Sequence, residues 1–171
     1  SLDLLLAAAE LMGDRLRLRI HGVVHDHVLP DFAARLAAAP NASYHGPYAH
    51  PDGLSDVYAG CDLVWAQDLW QRGANSDWLL PNRIYEASWF GCPSIALADT
   101  ATGQKIARDA LGFTIPEPTP QALSTLLDSL DRATLSACSA SLLARPERDF
   151  RLDPLDLAEI LNRATARARE D

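Results

Sequence analysis

Five short apolar runs, each separated from the next by a stretch with helical character, constrain this chain more than any other feature. Residues 16–20 (LRLRI) alternate with period two and stop at His21-Gly22. Residues 42–45, 61–66 (CDLVWA), 94–98 (SIALA) and 112–115 (GFTI) are further runs of strand length, bounded by Gly, Pro or Asn. Helical patterns occupy residues 2–12, 29–38, 52–59, 82–90 and 103–111. Connections of that length are too long for hairpins, and a crossover between strands in one sheet leaves them parallel. The pattern predicts an α/β fold: a Rossmann-like, doubly wound parallel sheet with helices on both faces. Helix 2–12 is apolar almost all round and is expected to be buried. Residues 121–130 and 132–143 read as two more helices. A linker over 146–152 leads to a last, amphipathic helix. Asp153-Pro154 opens it, and Leu157, Ile160, Leu161 and Ala164 share one face.

In open parallel sheets ligands bind beyond the carboxyl ends of the strands. Gly22, Gly46, the loop 67–80 and the loop 99–103 fall at that edge. So does the start of the helix expected over 82–90. The 67–80 loop is long for a passive connection and holds Asp68, Trp70, Arg72, Gly73, Asn75 and Trp78. Pro81 suits a first helical turn, and Gly91 with Pro93 supplies the stop. Arg83 stands out because a cation in the first turn opposes the helix dipole. With free N–H groups beside it, a guanidinium there suits a phosphate. Glu86, three residues on, lies on the same face and can accept hydrogen bonds from two neighbouring sugar hydroxyls. The competing reading is a surface ion pair between Arg83 and Glu86, of little energetic weight.

The formal net charge of −8 argues against general nucleic-acid or anionic-membrane binding, though not against a local basic pocket. Three widely spaced cysteines, Cys61, Cys92 and Cys138, form no CxxC or disulfide pattern, so a reducing, cytoplasmic compartment is expected. Cys61 and Cys92 read as core thiols, and Trp65 and Trp89 as core indoles. Trp70 and Trp78 suit either sugar stacking or packing of their own loop. The histidines at 21, 25, 27, 45 and 50 have no ligand spacing, and no metal site is assigned. No P-loop and no G-x-S-x-G motif is present.

The segments LDLLLAAAELM, LRLRIHG, YHGPY, LSDVYAGCDLVWA and LLPNRIYEASWFGCPSIA, in that order, resemble the C-terminal donor-binding lobe of GT-B glycosyltransferases, closest to glycosyltransferase family 4. Arg83, Glu86, Gly91 and Pro93 fill that family's K/R-x-x-E-x-x-x-x-G-x-P pattern. The resemblance covers roughly residues 2–130. It implies that Glu86 binds the ribose hydroxyls of a nucleotide sugar and that Arg83 and Asn82 lie at its diphosphate. It also implies that Gly22, Tyr48, Asp77, Trp78, Thr100, Thr102 and Gly103 belong to donor-site loops, with Tyr48 lining the base pocket. No cofactor and no metal are implied, since the leaving diphosphate is stabilised by cationic side chains and helix starts. The implied partners are an NDP-sugar donor and a glycan or lipid-linked acceptor. The implied outcome is retention, and the implied place is the cytoplasm, with possible association of the full enzyme with the inner membrane face.

Two departures stand out. Many family members carry a second glutamate, near the donor sugar, where this chain has Trp78; Asp77 is the available substitute. The family also has a strand, an Arg and a Lys-Gly step before the helix matching residues 2–12. Residues 1–171 are therefore expected to be a single nucleotide-sugar lobe, with 146–171 its linker and C-terminal helix and the acceptor lobe absent. Catalytic residues are not assigned. An NDP-sugar epimerase lobe and a non-catalytic nucleotide-binding module remain open alternatives.

Overall fold

The apolar runs become strands and the segments between them helices. The computed structural model describes residues 1–151 and 154–167. Helix α1 (Leu2–Met12) and a 3₁₀ turn (Gly13–Arg15) lead into β1 (Leu18–Ile20), α2 (Phe32–Ala37) and β2 (Ala42–Tyr44). Then come α3 (Leu54–Tyr58), β3 (Val64–Trp65), α4 (Asn75–Trp78), α5 (Arg83–Trp89) and β4 (Ser94–Leu97). The chain continues through α6 (Ala101–Arg108), β5 (Gly112–Ile115), α7 (Pro120–Ser129) and α8 (Arg132–Leu143). A 3₁₀ turn (Glu147–Asp149) precedes α9 (Pro154–Arg167). Asp153, expected to cap this last helix, lies outside the described residues, as does the side chain of Ala164.

Every strand pair is parallel, in agreement with the α/β expectation. Leu18 pairs with Ala42 and Ile20 with Tyr44. Val64 pairs with Ser94, and β4 runs alongside β5 from Ser94–Gly112 to Leu97–Ile115. Among the described residues the strands form two sheets, β1-β2 and β3-β4-β5, rather than one continuous sheet. No pairing joins the two sheets among the described residues.

Period-two alternation in β4 builds the core on both sides of the larger sheet. Ile95 and Leu97 point toward Leu4 and Ala8 of α1 and Leu123 of α7, with Ile115 beside them. Ala96 points the other way, with Ala66, into Ile84 of α5, Ile106 of α6, Leu111 and Leu142 of α8. All four β4 residues are buried, as a strand covered on both faces requires. A third cluster packs Leu54 and Tyr58 of α3 against Ala87 and Cys92. Each fully buried aliphatic side chain contributes about 1.5–3 kcal/mol.

Helix α6 approaches β4 unusually closely. A Cβ on Gly103 would lie 1.8 Å from the Leu97 carbonyl oxygen. Glycine is thus demanded by packing there, not by φ. Thr100 caps the helix by accepting the Gly103 N–H.

Three expectations need correction. Helix α1 buries only Leu4, Ala8, Ala9 and Met12, and Leu11 is exposed, so its apolar perimeter is wider than its contact face. Trp89 is exposed at the end of α5 rather than packed in the core; Trp65 does pack against the α1 side. The connection 67–80 is not structureless, because α4 forms within it.

Candidate functional site

The site is built at the carboxyl edge, where β3 hands over to the 67–80 loop and then to α5. Glu86 lies in the first turn of α5, and its N–H donates to the Asn82 carbonyl at 3.0 Å. It does not pair with Arg83, which removes the surface ion-pair reading. Instead the Tyr58 hydroxyl donates to Glu86 Oε2 at 3.3 Å, and His50 Nε2 lies 3.2 Å from Oε1. The carboxylate is mostly covered, at 18% side-chain exposure, while His50 beside it is open to solvent. Burial, followed by the Glu86 charge, raises the Tyr58 pKa well above the usual tyrosine value, so Tyr58 stays a neutral donor. Two fixed partners hold the carboxylate and leave lone pairs for further hydroxyls.

Arg83 is exposed and makes no ion pair among the described residues. Its charge nevertheless reaches Asp68 and Tyr58. Burial alone would raise the Asp68 pKa. Hydrogen bonds from Ser76 and the Trp70 N–H, with the Arg83 charge, outweigh it, and Asp68 titrates below the ordinary value. The start of α5 offers fewer free donors than expected. The Ile84 N–H is taken by the Pro81 carbonyl at 3.2 Å and the Tyr85 N–H by the Asn82 carbonyl at 2.9 Å. The N–H groups of Asn82 and Arg83 remain.

Gln67 ties this edge together. It is 1% exposed, yet every polar atom of its amide has a partner. Its Nε2 donates to the carbonyls of Asp68 and Ser76 at 2.9 and 3.0 Å. Its Oε1 accepts the Leu97 N–H at 3.3 Å and lies 2.9 Å from Thr100 Oγ1. That hydroxyl is also 2.8 Å from the Leu97 carbonyl and has one proton to share between them. One amide therefore joins the ends of β3 and β4, the loop and the cap of α6.

The loop itself is closed by charge-assisted hydrogen bonds. Ser76 Oγ donates to Asp68 and accepts the Gln71 N–H at 2.8 Å. Asp77 accepts from the Gly73 N–H at 2.7 Å and from Arg72 at 2.7 Å, and Arg72 reaches across to Asp99 at 2.9 Å. Thr102 Oγ1 donates to the Leu79 carbonyl at 2.7 Å.

The expected site residues thus fall into three groups. Asn82, Arg83 and Glu86 share one helical turn. Asp77 and Trp78 stand in the braced loop, with Asp77 occupied by Arg72 and Trp78 exposed. Thr100, Thr102 and Gly103 are buried and build the loop ends rather than face solvent. On the smaller sheet the Gly22 N–H donates to the Gly46 carbonyl at 2.9 Å. Tyr48 is exposed beside it, edge-on to His21 at 6.4 Å, and His21 stacks on His45 at 4.8 Å. Burial, then the neighbouring His45 and Arg19, lowers the His21 pKa. Sequence reasoning missed Tyr58, Gln67 and Ser76 and did not single out His50 among the five histidines. A glutamine directly after an apolar strand run was the one available signal.

The fold and site define an α/β protein with parallel strands and a braced carboxylate at the carboxyl edge, on the same turn as an arginine that has no ion pair among the described residues. No protein-family model matches the chain. Over 130 residues, 76% of its length, the chain is 30% identical to the succinoglycan biosynthesis protein ExoL of Rhizobium meliloti (strain 1021). It spans about a third of that protein, 32% of its length. Among the described residues no helix is long and apolar enough to cross a membrane.

Proposed function

We propose that the chain is the nucleotide-sugar-binding lobe of a larger glycosyltransferase of the GT-B, family 4 type. That enzyme would transfer a sugar, with retention, from an NDP-sugar to a glycan or lipid-linked acceptor in polysaccharide synthesis, at the cytoplasmic side of the membrane. The observation that carries the reading is Glu86. An otherwise costly, largely covered carboxylate is held by Tyr58 and His50, next to an arginine that makes no ion pair among the described residues. A ribose diol on the carboxylate and a diphosphate on Arg83 would complete both groups. The similarity to a succinoglycan biosynthesis protein supports the polysaccharide context. The lobe assignment is supported by the parallel-stranded α/β fold and by the chain's match to about a third of that relative's length.

Calorimetric titration with UDP, GDP and ADP tests this. One of the three is expected to bind in the micromolar range. Glu86→Gln, which keeps the size and loses the charge, is expected to weaken it by about tenfold or more, the loss of a charged hydrogen-bond acceptor. Absence of binding by all three up to millimolar concentration, in a folded sample, refutes the reading.

A further inference from the structure

Two thiols that lie 31 residues apart in the chain meet at the start of the larger sheet. Val64 pairs with Ser94, and the Val64 N–H donates to the Pro93 carbonyl at 2.9 Å. Carried back along both segments, that register sets Cys92 opposite Asp62 and one step out of line with Cys61. Parallel strands lie about 4.8 Å apart and rise about 3.3 Å per residue. Such diagonal neighbours have Cα atoms roughly 6 Å apart, within the span of a disulfide. The side chains agree with this. Cys92 Sγ donates to the Cys61 carbonyl at 3.6 Å, and both residues belong to the cluster built on Leu54, Tyr58 and Ala87.

The two sulfurs differ in their surroundings. Cys61 is partly exposed, whereas Cys92 is buried. Arg19 Nη1 donates to Cys61 Sγ at 3.8 Å and is itself anchored on the Ala59 carbonyl at 2.8 Å. A cation beside a sulfur favours the thiolate, which is the attacking form. Burial, then the neighbouring Cys61 and Asp62, push the Cys92 thiol up to about 12. Cys92 therefore stays protonated and shielded until a partner is brought to it. Cys138, on α8, packs in a different cluster.

We propose that Cys61 is a site of thiol–disulfide exchange with small-molecule disulfides and that Cys92 is its resolving thiol. The Cys61 thiolate attacks one sulfur of the incoming disulfide, whose S–S bond breaks and releases one thiolate. Cys92 then turns its Sγ from the Cys61 carbonyl to Cys61 Sγ, displacing the second thiolate. The Cys61 proton ends on the first thiol released and the Cys92 proton on the second. The two cysteines are oxidised to one disulfide, and the small disulfide is reduced to two thiols. The new bond would tie the turn before β3 to the turn before β4, directly beneath Tyr58, and excess small thiol would reverse it.

The folded chain is incubated with glutathione disulfide, quenched with acid over time, and read by intact mass and peptide mapping. A glutathione adduct on Cys61 is expected first, followed by loss of two hydrogens from the unmodified mass and a peptide linking Cys61 to Cys92. Cys92→Ala is expected to accumulate the adduct, and Cys61→Ser to leave Cys92 free. Arg19→Gln is expected to slow adduct formation several-fold while leaving modification of Cys138 unchanged. Circular dichroism checks that each variant is folded, and the peptide map of the parent chain decides the matter without them. An adduct on Cys61 that never resolves in the parent overturns the proposal. So does a Cys138 that reacts faster than Cys61, a Cys61–Cys92 link that forms only in urea, or bonds that form only between chains.

Discussion

Replacing Gln67 by glutamate changes one NH₂ group to oxygen in a place where nothing can move away. The amide nitrogen now faces two carbonyl oxygens, of Asp68 and Ser76, at 2.9 and 3.0 Å, and the site is 1% exposed. A carboxylate oxygen there would be repelled by both. The folded Gln67→Glu protein is expected to keep the new carboxyl group protonated, donating to one carbonyl and leaving the other orphaned. An unfolded glutamate titrates near 4.3. Holding it neutral at pH 7 costs about 1.4 kcal/mol per pKa unit over roughly three units, or about 4 kcal/mol. The orphaned carbonyl adds about 1 kcal/mol. The sign follows from the raised folded pKa of an acid: the ionisation penalty is absent below the unfolded pKa and grows as pH rises through 4.3 toward 7. Urea denaturation followed by circular dichroism measures it. With a slope of about 1–3 kcal/mol per molar, the midpoint should fall by roughly 2 M at pH 7 and by a small fraction of that at pH 4. Gln67→Leu, with no titratable group, should lose stability equally at both pH values. A Gln67→Glu protein as stable as the parent at pH 7, or equally weakened at both pH values, would show that the amide does not span the edge as described.

Other substitutions separate packing from backbone strain and charge. Gly103→Ala drives a methyl group into the Leu97 carbonyl and is expected to cost more than about 3 kcal/mol in chemical denaturation. Gly22→Ala meets no atom within 4 Å but strains a φ of +126°, so its cost should be smaller, about 1–3 kcal/mol. Asp109 is held near a pKa of about 2 by hydrogen bonds from Arg108 and Lys105. Asp109→Asn should therefore lower stability by roughly 1 kcal/mol above pH 4, a deficit that closes as pH falls toward 2. Tyr58, neutral beside Glu86, should resist ionisation in alkaline ultraviolet titration. The protein should lose stability once pH passes about 10, where only the unfolded chain ionises it.

The order of strands and helices was legible because burial writes itself into the sequence. The largely apolar SIALA run became a strand covered on both faces, and residues 132–143 became α8. Strand ends were overestimated where apolar residues continue past the ladder. Cys61, for example, still donates its N–H to Tyr58 in a turn, so β3 begins only at Val64. Helix α2 starts later than residue 29 because the N–H groups of Val28 and Leu29 both turn back to the His25 carbonyl. Helix α6 starts earlier than residue 103, since the Thr100 cap went unrecognised, and it ends before Ala110, whose φ is +52°. Arg83 and Glu86 could be singled out from their spacing on one turn. Tyr58 and His50 could not, because they reach Glu86 from 28 and 36 residues away. Gln67 was equally hidden: its partners lie on separate segments that only the folded chain brings together.

The unpaired edges of β1 and β3 bear on how the protein behaves in concentrated solution. An open strand edge is a template for another chain. On β1 the cationic Arg19 interrupts that template, with its guanidinium folded back onto the Ala59 carbonyl at 2.8 Å. The Val64–Trp65 edge of β3 has no lysine, arginine or proline to discourage a visitor. Both side chains of that edge nevertheless pack into the core clusters, so a charge introduced at position 64 would block strand addition only by weakening the packing beneath it.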